Sequence, residues 1–136
     1  MKETRNLEFK AEITNTFLKT VSAFANYDGG EIWFGVADDG SIQGLSDPVQ
    51  ACLDIENKIN DTIHPQPQYT LSVKEAEKTV ILKVQAGIHT PYTYKSKAYK
   101  RNDTATIEVD SLELTRLILQ GKNMHYEDLP ATTQDL

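Results

Sequence analysis

The sequence predicts an α+β domain, and three features carry that expectation. Residues 7–13, LEFKAEI, alternate apolar and charged side chains at the period of a strand. Residues 17–25 space their apolar side chains as one buried face of a helix does, and residues 69–109 return to strand-like alternation. The 136 residues suit a single domain, and 39% hydrophobic content supplies one ordinary core. We place that domain at residues 1–122 and read residues 123–136 as a tail or interdomain linker, since NMHYEDLPATTQDL has little periodicity.

In the first strand, Leu7, Phe9, Ala11 and Ile13 share one face, and Glu8, Lys10 and Glu12 the other. Thr14 or Asn15 is placed to cap a helix whose buried stripe is Phe17, Leu18, Val21, Phe24 and Ala25. Asn26, Asp28 and the pair Gly29-Gly30 end it, glycine adopting the positive φ that a helix C-terminus commonly needs. EIWFGVA follows as a strand with Ile32, Phe34 and Val36 on one face, and DDGSIQG reads as a hairpin turn. A second helix is expected over Pro48–Ile63, with Pro48 in its first turn and a stripe of Val49, Cys52, Leu53, Ile55 or Glu56, Ile59 and Ile63. HPQPQ stops it, because a residue preceding proline is pushed out of helical geometry. YTLSV, the more buried TVILKVQ, and a hairpin of KAYKRN and TATIEV around Asp103 supply further strands. The last helix, SLELTRLILQGK, is expected to stop at Gly121.

Several function classes fall away on composition. One cysteine, Cys52, leaves no disulfide within the chain and no Cys-rich zinc site, and the polar start MKETRNLEFK carries no secretory signal, so the cytoplasm is the expected compartment. No apolar run approaches the roughly 18 residues of a membrane span. His64, His89 and His125 are scattered and read as ordinary surface histidines. GVADDGS has the glycine separation of a phosphate-binding loop, but Ser41 and Ile42 stand where that loop needs Lys and then Ser or Thr, and its aspartates would repel phosphate. With a net charge of -6, a polynucleotide binder must gather its cations locally.

Two clusters remain as candidate sites. TYKSKAYKR interleaves Lys95, Lys97, Lys100 and Arg101 with Tyr94 and Tyr99, the residue types that meet phosphates and stack on bases; its alternative is a solvated hairpin whose lysines discourage edge pairing. Lys10 can assist from the first strand. Glu3, Glu8 and Glu12 lie on or beside the first strand and Asp38 and Asp39 end the second, so that several of their oxygens could converge on Mg²⁺ or Mn²⁺ if the two strands are neighbours; the alternative is solvent-facing glutamates and a plain Asp-Asp-Gly turn.

ETRNLEFK, VSAFANYDGGEIWFGVADDGSIQGL, the Pro-Tyr of GIHTPYTY followed by AYKRNDTAT, and MHYEDLP occur in an order that resembles the Schlafen-type AlbA domain. The resemblance implies a mixed β-sheet with two to three helices packed on it. It implies a DNA-binding N-terminal module of a bacterial transcriptional regulator or helicase-related protein, DNA being preferred to RNA, with further domains C-terminal to it. From the Schlafen branch it implies an alternative, a metal-dependent nuclease in which Glu3, Glu8 and Asp38, with Asp39 as the competing choice, would hold Mg²⁺ or Mn²⁺, a homodimer supplying a second lobe. No other cofactor is expected. A third reading is a protein-interaction or dimerisation domain, consistent with the net acidity.

Overall fold

A computed structural model describes the backbone of residues 1–127 and the side chains of residues 1–123. Its elements run β1 (Leu7–Lys10), α1 (Phe17–Asn26), β2 (Gly30–Phe34), α2 (Pro48–Thr62), β3 (Ile63–His64), β4 (Tyr69–Lys74), β5 (Thr79–Val84), β6 (Thr93–Tyr94), β7 (Lys97–Asn102), β8 (Ala105–Glu108) and α3 (Ser111–Glu127). The fold is α+β, as the sequence predicts. A mixed sheet has the order β1-β2-β5-β4, with β1 and β2 parallel and the other pairs antiparallel. Parallel neighbours need a crossover, which α1 provides. A second, antiparallel sheet has the order β3-β6-β7-β8; its two-residue strands β3 and β6 are too short to leave a periodic signal.

Helix α1 lies between the two sheets, packing on β6, β7 and β8 and also on β5 and α2. Nine of its ten residues are buried, Lys19 alone reaching solvent. Such all-round burial demands that its polar side chains find partners inside. Ser22 and Asn26, one turn apart, meet the backbone of the second sheet. Ser22 Oγ donates to the Tyr92 carbonyl and accepts from Tyr99 N–H, while Asn26 Nδ2 donates to the Tyr92 carbonyl and its Oδ1 accepts from Tyr92 N–H. The opposite face supplies the apolar stripe read from the sequence, Phe17 closing edge-on against Phe34 at 5.2 Å. The helix ends at Asn26, and Gly29, at a φ of +75°, turns the chain towards β2 while its N–H returns to the Phe24 carbonyl at 2.9 Å.

Four local expectations change. β1 stops at Lys10, and Glu8 is buried rather than solvent-facing because α1 and β7 close over that side of the strand. The cap of α1 is Thr16, without a side-chain capping bond, in place of Thr14 or Asn15. The buried stripe of α2 is Ala51, Ile55 and Ile59, leaving Val49 and Leu53 exposed; Asp47 caps the helix by accepting from Gln50 N–H. Helix α3 passes through Gly121, its expected stop, to Glu127. The rest of the tail, including the end of MHYEDLP, lies outside the described residues. Among the described residues no helix is long and apolar enough to cross a membrane.

Gly121 is a packing glycine. A Cβ there would sit 2.0 Å from the Thr90 carbonyl oxygen, a backbone atom that cannot swing aside, and Thr90 Oγ1 donates to the Leu117 carbonyl of the same helix at 2.6 Å. Gly121→Ala should therefore lower unfolding free energy by about 1–3 kcal/mol in urea denaturation despite alanine's better helix propensity. Stability equal to or above that of the parent would show that the contact is not tight.

Candidate nucleic-acid interface

The β6–β7 hairpin turns through Lys95 and Ser96, both at positive φ (51° and 67°), between the paired Tyr94 and Lys97. That tight turn sets Lys95 and Lys97 beside the start of α1. Between them lies a groove of about 270 Å³ whose cationic groups are Lys19, Lys95 and Lys97, with Asn15, Thr16, Tyr94 and Tyr99 completing the lining. Two lysines rest on the tyrosines: Lys95 Nζ lies 5.4 Å from the Tyr94 ring centroid and Lys19 Nζ 5.7 Å from that of Tyr99. Lys10 reaches the rim, its Nζ 3.3 Å from Thr16 Oγ1, and Lys58 donates to Asn15 Oδ1 at 2.8 Å. Neither Lys19 nor Lys95 forms an ion pair among the described residues. Lys97 meets Glu108 at 3.8 Å with both side chains about half exposed, a pair that water and salt screen heavily.

Of the remaining members of the basic stretch, the two tyrosines line the groove but are largely buried, and Lys100 and Arg101 are placed elsewhere. Tyr94 and Tyr99 belong to the main core, not to an exposed stacking platform. Arg101, expected to meet phosphate, is buried. Its Nη1 lies 2.7 Å from Glu8 Oε1 and 2.9 Å from Thr106 Oγ1, while Nε and Nη2 donate to the Arg5 and Thr4 carbonyls. Lys100 is held by Glu113 at 2.6 Å, and the Tyr27 hydroxyl donates to the same carboxylate. Lys100 first, then Tyr27, holds the Glu113 carboxyl below its ordinary range, whereas burial and then the Glu113 carboxylate push the Tyr27 phenol up. Alternation along the strand marks which side chains share a face; it carries no sign of which face α1 will cover.

The three carboxylates do not converge. Glu8 accepts from Arg101 and, at 3.1 Å, from Thr20 through Oε1, leaving Oε2 buried without a hydrogen bond and 3.8 Å from Lys10 Nζ. Glu3 Oε2 accepts from Phe9 N–H at 2.8 Å. Asp38 is exposed in the turn after β2, and Asp39 makes that turn, accepting from Ser41 N–H and Oγ at 2.9 and 2.6 Å. The Ser41 hydroxyl, then its N–H, keeps the Asp39 carboxyl below its ordinary value. Among the described residues no three His, Cys, Asp or Glu side chains form a group able to hold a metal ion. The residues as placed therefore do not fit Mg²⁺ or Mn²⁺ bound by Glu3, Glu8 and Asp38.

Sequence reasoning missed Lys19 and Thr16, and read Asn15 only as a candidate cap. Lys19 is the one charged residue in FLKTVSAFAN, an otherwise uncharged helical segment, and that contrast was the available signal.

A family model described as Schlafen, AlbA_2 matches residues 3–110. The chain is similar to the crystal structure of the DIP2311 protein from Corynebacterium diphtheriae, at 19% identity and a TM-score of 0.60, over 82% of this chain and 26% of that one. It is also similar to the solution NMR structure of the N-terminal domain of a RecG-related protein from Nitrosomonas europaea, described as an ATP-dependent DNA helicase relative. That match has 23% identity and a TM-score of 0.56, over 77% of this chain and 83% of that one. At these identities the likeness is one of fold, and the chain spans about a quarter of the Corynebacterium protein's length. No curated protein matches.

Two outcomes follow from the charge placement. Arg101→Met, which strands Glu8 in the interior, should cost about 3–5 kcal/mol in chemical denaturation, and Arg101→Lys should recover only part because lysine cannot replace the guanidinium fork. A fully stable Arg101→Met protein would return Arg101 to the phosphate-binding set. For Glu113, a folded pKa below the ordinary 4.5 means that its stabilisation is complete above that value and is lost as pH falls through the lower folded one. Glu113→Gln should flatten the fall of unfolding free energy as pH drops below the ordinary 4.5, measured by urea denaturation. A fall as steep as the parent's would assign the acid sensitivity to other carboxylates.

Proposed function

The chain belongs to the Schlafen, AlbA_2 family, and from that premise we propose that it is a nucleic-acid-binding module of a bacterial transcriptional regulator, taking DNA in preference to RNA. The observation that carries the reading is the convergence of Lys19, Lys95 and Lys97, from a helix and a hairpin distant in sequence, on one groove of a chain with net charge -6. Released counterions favour a polyanion at such a cluster, while the acidic remainder of the surface repels it elsewhere and so orients the encounter. Lys19, Lys95 and Lys97 meet phosphates and Lys10 assists at the rim. Arg101 and Lys100 act one step behind, fixing the strand that carries the hairpin. The module works in the cytoplasm beside further domains, and a homodimer would present two such grooves along one duplex.

The test is fluorescence anisotropy with a labelled DNA duplex over a range of salt concentrations. Lys95→Glu/Lys97→Glu should weaken binding about tenfold or more at low salt and reduce the salt slope by about two, whereas Lys100→Gln should leave the slope unchanged. An unaltered slope in the double variant, or no binding by the parent protein at low salt, would overturn the assignment. Cleavage of a labelled hairpin RNA in Mn²⁺, abolished by EDTA and by Asp38→Asn, would favour the nuclease alternative instead.

A further inference from the structure

We infer that the groove recognises the sugar-phosphate backbone and takes no base into contact, so that its ligand class is a polyanionic strand or duplex of any sequence; the inference rests on the binding reading above. Stacking requires an open aromatic face, and the groove has none to offer. Tyr94 is 5% exposed and Tyr99 7%, their inner surfaces belong to the core, and Lys95 and Lys19 lie over the rings. The tyrosines act as seats for the two ammonium groups, holding each cation at the groove mouth through its attraction to the ring.

The polar chemistry of the lining points the same way. Base edges present donors as well as acceptors, so a donating surface fits only some of them, such as guanine N7 and O6, whereas phosphate oxygens accept at every nucleotide. Lys19, Lys95 and Lys97 are pure donors. Asn15, the side chain best suited to a bidentate reading of adenine, already has its Oδ1 engaged by Lys58, which leaves its amide hydrogens as donors. The Thr16 hydroxyl accepts from Lys10 and shares a second hydrogen bond with the Thr14 hydroxyl at 2.9 Å, so its polar contacts are made within the protein. The acidic group beside this donor surface is Glu108, on the Lys97 ammonium; an arriving phosphate replaces it there, exchanging a screened pair for contact with a polyanion.

The experiment compares, at one low salt concentration, a labelled single-stranded DNA with a strand of equal length in which abasic sites replace the bases, alongside two duplexes of unrelated sequence. Affinities for the abasic and base-bearing strands should agree within about threefold, the duplexes should match each other as closely, and Lys95→Gln should weaken all four by a common factor. Base–aromatic contact is worth about 1–3 kcal/mol, at least about fivefold per base, so a tenfold or greater loss on the abasic strand would overturn the inference while leaving nucleic-acid binding intact. So would a Lys95→Gln effect confined to base-bearing ligands. Failure of all four ligands to bind would overturn the underlying reading and this inference together.

Discussion

The structure depends on one guanidinium. Arg101 reaches from the second sheet to Glu8 in the first, to the carbonyls of Thr4 and Arg5 before β1, and to Thr106 on β8, and it lies 5.5 Å from the Phe24 ring of α1. Two charges removed from water offset that cost only when every remaining donor and acceptor is nearly satisfied. Four elements of the chain must therefore be in place at once for this pair to be tolerated. The unmet atom is Glu8 Oε2, and Lys10 stands at 3.8 Å from it. A lysine in place of Arg101 would bring the charge without the planar fork that serves three chain segments simultaneously.

That clamp sets the frame in which α1 can be buried on every side. A helix between two sheets normally presents apolar residues to both, yet here the second sheet is met by Ser22 and Asn26, which hydrogen-bond the backbone of Tyr92 and Tyr99 much as a neighbouring strand would. The consequence reaches the groove. Tyr99 is fixed by its own N–H and C=O to α1, so its ring and the Lys19 ammonium above it are held by the same helix. Lys95 and Lys97 then follow from the two-residue turn that β6 and β7 share.

Much of the mixed sheet was legible because its strands keep the period that one covered face imposes. Tyr69, Leu71 and Val73 of β4 point inward as their alternation requires, and Val80, Leu82 and Val84 of β5 are buried. The second sheet was harder. In KAYKRN the alternating set Tyr99 and Arg101 can be assigned a common face, but whether that face meets water or helix α1 depends on residues about eighty positions away. Gly121 shows the same limit: a glycine ending a helix and a glycine letting a helix approach a carbonyl read alike until Thr90 is beside it. The Asp38-Asp39 pair was open between turn and cation, and the Ser41 contacts make Asp39 the turn residue.

Charge in this domain is sorted by what stands opposite each group. Lys100 and Arg101 face carboxylates on α3 and β1 and so consolidate the fold, while Lys19 and Lys95 face aromatic rings. The difference matters because an ion pair neutralises a lysine at a distance, whereas a ring steadies the ammonium and leaves its net charge in the field. A cation seated on tyrosine is therefore ordered and still available to an anion. In an acidic protein this arrangement orders cations without cancelling them, and the groove between α1 and the β6–β7 hairpin is lined by two lysines held in that way.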